Sequence, residues 1–312
     1  MMEPVIQTKD LTKKFHGFCA VDRLSLSIGR GEIFGFLGLN GAGKTTTIRL
    51  LLSMITPTSG HCYLLGQRVD AGKLDIWRDV GYIVETPHAY PELTVRENLE
   101  IMGQLRGDIG RGAVDNIISK LKLGDQACKK ARHLSMGNAQ RLGLAKALIH
   151  QPKILILDEP TNGLDPAGIV EVRHLLQDLS KNYRVTILMS SHKLDEISQV
   201  STQIGIIHHG QLIKEMRTKE LDKHLHKSLL IDSRNRKAAR SVLSQTIFQG
   251  HIKTTEAGVL EIEHAKAVEH PEAIASLLCN AGHPPTLLKI KRENLEMYFM
   301  RIIQEGEKMP NA

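Results

Sequence analysis

Apolar and polar positions change their period along the chain, and the changes divide it into regions. From residue 5 to residue 33 short β-rich runs, "VIQTKDL" and "LSLSI", are separated by "GFCAVD" and "GRGE", a pattern that predicts an antiparallel sheet with tight turns. "EIFGFLG" then reads as an apolar strand ending in glycine, followed at once by a helix over residues 45–55 that "TPTSG" stops. Strands recur at "HCYLLG", "VGYIVE", "KILILDEP", "RVTILMSS" and "QIGIIHHGQLI", with helices over 166–180 and 193–200. This alternation predicts an α/β fold around a mainly parallel sheet. Between residues 85 and 150 the strand signal gives way to helical periodicity in "VRENLEIMGQL", "AVDNIISKLKL" and "AQRLGLAKALI". A helical subdomain, about 86–150, is therefore inserted into a domain covering 3–220.

Around residues 219–227 the chain turns highly polar, "KELDKHLHK", which places a linker at 221–227. Beyond it "SLLIDS" (strand), "RKAARSVLSQ" (helix), "VLEIEH" (strand), "PEAIASLLCNAG" (helix), "PTLLKIK" (strand) and "RENLEMYFMRIIQ" (helix) form a small α+β C-terminal module over 228–305. If "HIKTT" is also a strand, the order is βαββαβα, compatible with a ferredoxin-like arrangement. The tail over 306–312 is expected to fray.

Composition adds exclusions. With 312 residues, 41% hydrophobic and 24% charged, the chain is long enough for one large domain and a smaller one, and disordered and fibrous classes drop out. The net charge of +7 is spread along the chain instead of gathered in an arm, so no nucleic acid is expected as a partner; solubility or a face toward anionic lipid explains it as well. Cys19, Cys62, Cys128 and Cys279 stand far apart with no CxxC pair, which indicates neither a zinc site nor a disulfide framework. The start "MMEPVIQTKD" has no apolar h-region, and no apolar run approaches the roughly 20 residues of a membrane span. The polypeptide is expected not to cross a membrane by itself.

Chemistry concentrates in a few stretches. "GLNGAGKTT", residues 38–46, has the spacing GxxxxGK[ST], with Gly38, Gly43, Lys44 and Thr45 in the fixed places. Its backbone N–H groups converge on phosphate, Lys44 neutralises the β/γ-phosphates of a nucleotide, and the Thr45 hydroxyl is a ligand for Mg²⁺. "ILILDEP" is a buried strand ending in two carboxylates; burying Asp158 beside a P-loop implies a Mg²⁺ partner. Glu159, one residue further, is placed to orient and deprotonate a water in line with the γ-phosphate. His192, in "LMSSHKLDE", closes another strand, within reach of the γ-phosphate and Glu159.

One stretch is surplus. "LSMGNAQR", residues 134–141, opens a helix with Ser135 as cap and Gly137 allowing close approach, a second anion-binding helix start in a chain whose P-loop already serves one nucleotide.

The ordered set "GLNGAGKTT", "YIVE", "LSMGNAQR", "ILILDEPTNGLD" and "SSH" resembles the nucleotide-binding subunit of an ABC transporter over roughly residues 3–220. The resemblance implies that ATP is held by Gly38, Asn40, Gly41, Ala42, Gly43, Lys44, Thr45 and Thr46, with Phe15 stacked on adenine. It implies that "LSMGNAQR" is the signature, that Asp165 belongs to the D-loop, and that Glu85 stands where the family usually has the Q-loop glutamine, a further metal ligand in that role. In this family two cassettes meet head to tail, so Ser135 and Gly137 serve a partner's nucleotide and the surplus is explained. Two departures stand out: Met136 and Asn138 replace residues of the common LSGGQ, and Glu85 adds a negative charge near metal and phosphate.

The combination of Glu85, "SMGNAQRLGLAKAL" and "TNGLDPAG" is similar to cassettes of the bacitracin and lantibiotic-resistance export type, which pair with separate membrane subunits. That type implies a homodimer at the cytoplasmic face of the membrane, ATP hydrolysis coupled to export, and cargo of the antimicrobial-peptide or hydrophobic class. An import cassette and a soluble non-transport ABC ATPase are the alternatives; the latter carry paired cassettes, coiled coils or zinc insertions that are not seen here. Other features read as structural: His208 and His209 in a hairpin turn, His224 and His226 in the linker, and Trp77 packing ahead of "VGYIVE".

Overall fold

In the computed structural model, which describes residues 4–70, 72, 75–107 and 109–308, the first element is a long antiparallel hairpin of β1 (Ile6–Phe15) and β2 (Phe18–Ile28). Its two-residue turn has positive φ at both His16 (40°) and Gly17 (89°), the backbone twist that suits a tight hairpin. "GFCAVD" is consequently strand and not the separator its composition suggests: Ala20 and Val21 are buried in the sheet.

β3 (Ile33–Leu37) is buried at every position and runs into the P-loop and α1 (Lys44–Leu51). That helix ends four residues before the expected 55, because Ser53 takes a left-handed conformation (φ 54°) that breaks the turn. β4 (Ser59–Leu64) and β5 (Gln67–Arg68) complete a four-stranded sheet in the order β2-β1-β4-β5. Trp77 lies in a 3₁₀ turn, Asp75–Asp79, and packs against the core beneath this sheet.

β6 (Val80–Ile83) leads to three helices that pack on one another: α2 (Val95–Arg106), α3 (Ala113–Lys120) and α4 (Met136–Leu148). Thr94 and Glu97 form a reciprocal capping box at the start of α2. The chain then returns through β7 (Ile154–Leu157), α5 (Pro166–Tyr183), β8 (Thr186–Ser191), α6 (Leu194–Ser198), β9 (Gln203–His208) and β10 (Gln211–Arg217). The second sheet has the order β10-β9-β3-β8-β7-β6, with only β10 antiparallel. β3, β7 and β8 are buried on both faces, which is why they read as unbroken apolar runs. Because β6, β3, β7 and β8 are parallel, the segments after all four emerge at one edge of the sheet.

The chain divides into two compact units, one running to Glu220 and including the chain from Ile302 onward, the other Leu221–Arg301. The stretch expected as a linker contains a helical turn, α7 (Leu221–His224), whose Leu221 is buried. In the second unit β11 (Lys227–Ser233), α8 (Arg236–Ser244), β12 (Ile252–Thr254), β13 (Leu260–Ile262), α10 (Pro271–Asn280), β14 (Pro285–Arg292) and the start of α11 (Leu295–Lys308) follow the expected order, with an additional short α9 (Ala265–Glu269). The sheet is antiparallel in the order β12-β13-β11-β14, and Leu229, Ile231, Leu243, Leu260, Ile262 and Leu278 fill its core. The backbone of α11 stays helical to Lys308, where fraying was expected; the rest of that tail, 309–312, lies outside the described residues. No described helix is long and apolar enough to cross a membrane.

Candidate functional site

At the edge where the parallel strands end, the turn after β3 passes close under its neighbours. A Cβ on Gly43, whose φ is 108°, would fall 2.5 Å from the Ala20 carbonyl oxygen, so only glycine fits where α1 begins. The loop is tied down by Gly38 N–H donating to the Ser191 carbonyl (3.3 Å) and Gly210 N–H donating to the Ala42 carbonyl (2.9 Å). Asn40 and Gly41 are exposed at its crest, while Thr46 is half-buried on the first turn of α1.

Lys44 is buried, and its ammonium folds back to donate to the carbonyls of Gly38 (2.6 Å) and Leu39 (3.3 Å), 3.7 Å from Glu159 Oε1. Burial lowers its pKa, opposed by the carboxylates of Glu159 and Asp158. Thr45 Oγ1 donates to Asp158 Oδ2 at 2.8 Å. Asp158 follows the end of β7 and is 3% exposed; its other oxygen accepts from Ser190 Oγ at 2.5 Å. Ser190 also accepts from the Glu159 N–H (3.0 Å), so one hydroxyl on β8 orients both acidic residues. Glu159, in a left-handed conformation (φ 47°), meets His192 Nδ1 at 3.0 Å from Oε2.

The structure thus brings Lys44, Thr45, Asp158, Glu159 and His192 together. Glu85, just past β6, has φ 57° and accepts from Arg49 Nη2 at 2.5 Å. Phe15 ends β1 with 42% of its surface exposed, its ring 4.9 Å from Lys13 Nζ; among the described residues no hydrogen bond or ring contact joins it to the P-loop.

"LSMGNAQR" occupies a different place. Ser135 caps α4 by accepting from the Asn138 N–H (3.3 Å), a bond to backbone that does not depend on the side chain at 138. Met136 is accommodated by the next loop: a Cβ on Gly163 would fall 2.2 Å from its sulfur. Gly137 lies beside the same loop, with the Gly163 carbonyl 3.4 Å from where its Cβ would be. Gln140, buried, donates to the Pro160 carbonyl (2.9 Å), and Asp165 caps α5 by accepting from the Gly168 N–H (3.0 Å). Among the described residues no hydrogen bond joins Ser135 or Gly137 to the P-loop of their own chain.

Sequence reading missed Ser190, Gln140 and Arg49. Ser190 lies within the quoted "SSH" and Gln140 within "NAQR", so both were on motifs; Arg49 could be found only as the cation one helical turn beyond Thr45.

A P-loop between strand and helix, facing an Asp-Glu pair two strands away across a parallel sheet, defines a P-loop nucleotide-binding protein. The family model described as ABC transporter matches residues 21–162. The chain is 38% identical, over 98% of its length and 99% of the relative's, to the bacitracin transport ATP-binding protein of Bacillus licheniformis. It is 36% identical, over 98% of both chains, to the protein of the same name from Enterococcus faecalis. Among solved structures, a dimeric bacterial ABC transporter cassette matches with a TM-score of 0.64 and 25% identity, over 68% of this chain and 98% of that one. The chain belongs to the ABC transporter family and is one of its ATP-binding cassettes.

Proposed function

We propose that the chain is the ATP-hydrolysing subunit of an ABC exporter, acting as a head-to-tail homodimer at the cytoplasmic face of the membrane with the permease on a separate chain. The observation that carries the reading is the convergence of Lys44, Thr45, Asp158, Glu159 and His192 at one sheet edge, while Ser135 caps its own helix and Gly137 lies beside the Gly163 loop. A hydroxyl and a carboxylate oxygen 2.8 Å apart are hard oxygen donors of the kind Mg²⁺ takes, so Thr45 and Asp158 would hold it. The chemistry such an ion would supply there is neutralisation of the charge on a bound triphosphate.

The chain's own groups do the rest. The N–H groups over Gly38 to Thr46 cradle the phosphates, and Lys44 exchanges its carbonyl partners for phosphate oxygens. Glu159 accepts the proton of the attacking water, and His192 fixes the carboxylate orientation. Phe15, exposed at its hairpin tip, offers a ring for adenine. Ser135 and Gly137 meet the γ-phosphate held by the partner subunit, with Asp165 on the adjoining loop; closure then depends on ATP and hydrolysis releases it. Glu85, engaged by Arg49, is left out of the metal set. The names of the relatives favour an antimicrobial peptide such as bacitracin as the class of cargo.

Glu159→Gln tests this. It removes the base and leaves Lys44, Thr45 and Asp158 to hold the nucleotide, so turnover should vanish while ATP binding persists and a dimer accumulates on gel filtration with ATP. A variant that binds ATP and stays strictly monomeric would overturn the shared site.

A further inference from the structure

Three carboxylates gather at the edge that takes the nucleotide. Asp158 and Glu159 follow β7; Glu85 follows the neighbouring β6, where Ile83 pairs with Leu157 and its carbonyl accepts from the Asp158 N–H at 2.8 Å. Asp158 is engaged by Thr45 and Ser190, and Glu159 by Lys44 and His192. The third has its own cation. Arg49 stands four residues after Thr45 in α1, so the two share one face of the helix that begins at the P-loop. Its guanidinium donates to Glu85 at 2.5 Å, a charge-assisted bond.

We propose that Arg49 is a positioning residue of the nucleotide site: it is the counter-ion that holds the Glu85 carboxylate against α1 and keeps its charge from opposing the incoming triphosphate. The proposal rests on the ATP-site reading above. Exposure supports a role in binding over one in folding. The side chains are 40% and 53% exposed, and pairs of that kind contribute little to stability. Their electrostatic effect on an anion docking at the start of the same helix persists, because that anion and Glu85 carry like charge.

The test is a double-mutant cycle on the full chain, read as KM for MgATP and kcat. Arg49→Gln frees the Glu85 charge and should raise KM about five- to tenfold at low salt, with kcat changed much less and the difference shrinking at high salt. In a Glu85→Gln background the same substitution should raise KM clearly less, because only the Arg49 charge is then lost and no carboxylate is released toward the triphosphate. Arg49→Lys should keep KM near wild type. Equal effects of Arg49→Gln in both backgrounds, or a fall in kcat at constant KM, would overturn the proposal. Lys44→Ala separates the two levels: if it leaves ATP binding intact, the site reading itself is wrong. If it abolishes binding while the Arg49 and Glu85 cycle shows no coupling, only the counter-ion role is lost.

Discussion

Ser190→Ala is the perturbation that most directly tests how the acidic pair is held. The hydroxyl, fully buried on β8, donates to Asp158 Oδ1 at 2.5 Å and accepts from the Glu159 N–H at 3.0 Å. A hydrogen bond to a charged group contributes about 1.5–3 kcal/mol, and an amide left without its acceptor costs ~1 kcal/mol or more. Asp158 keeps Thr45 on its other oxygen, so the losses do not simply add, and we expect a destabilisation of about 2–4 kcal/mol.

Ser191→Ala is the internal control. It lies next along the same strand, equally buried, but among the described residues its hydroxyl accepts only from the Lys193 N–H (3.0 Å), a neutral bond with a contribution of ~1 kcal/mol. Urea unfolding followed by fluorescence reads the relevant unit, because the single tryptophan, Trp77, packs in the core beside β6. With the acidic pair released, the Mg²⁺ concentration for half-maximal hydrolysis should also rise. Equal losses at 190 and 191, or a Ser190→Ala variant within about 0.5 kcal/mol of wild type, would refute the bridging role.

Two further outcomes are expected. Ser135→Arg puts a long cation at the start of α4, so an isolated subunit should bind ATP normally and hydrolyse none; mixing it with Lys44→Ala subunits rebuilds one intact pairing and should restore part of the activity. If Ser135→Arg weakens ATP binding by a monomer as much as Lys44→Ala does, signature and P-loop serve one nucleotide within one chain. His150 donates from Nε2 to the Val80 carbonyl (3.2 Å), while burial first, then the nearby Arg106, pushes its pKa from 6.5 down to about 4. The folded state therefore resists a proton that the unfolded state accepts: the contribution is whole above about pH 6.5 and is lost as pH falls toward about 4. His150→Gln should flatten the decline of the Trp77 transition midpoint between pH 7 and 4.5, and an unchanged slope would sink the assignment.

Much of the site was legible because its parts are local. A strand, a glycine-rich turn and a helix start are consecutive in "EIFGFLGLNGAGKTT", and φ above zero at Gly41 and Gly43 is a requirement glycine meets by composition. The same holds for Ser135 and Asp165, each bonded to an amide three residues on. Where reading failed, strand pairing or burial decided over local composition. The stretch "GFCAVD" carries turn-like residues, yet β1 supplies pairing partners for Phe18, Cys19 and Val21 and the strand continues. A helical turn forms in the polar stretch at 221–224, where Leu221 is buried.

The residue types, their spacing and the order of strands and helices were enough to determine a glycine-rich strand-to-helix turn, an acidic strand end and a second capped helix start. They do so because backbone conformation and capping depend on neighbours within a few residues. Only the tertiary structure decided which side chains face one another. Sheet order puts β8 between β3 and β7, so Ser190 reaches Asp158 from 32 residues away and Thr45 reaches it from 113. Pairing β6 with β7 brings Glu85 to the same edge, where Arg49, 36 residues earlier, meets it. Hydrogen bonds and ion pairs act over a few ångströms, and the chain comes that close to itself across such separations only after the sheet has formed.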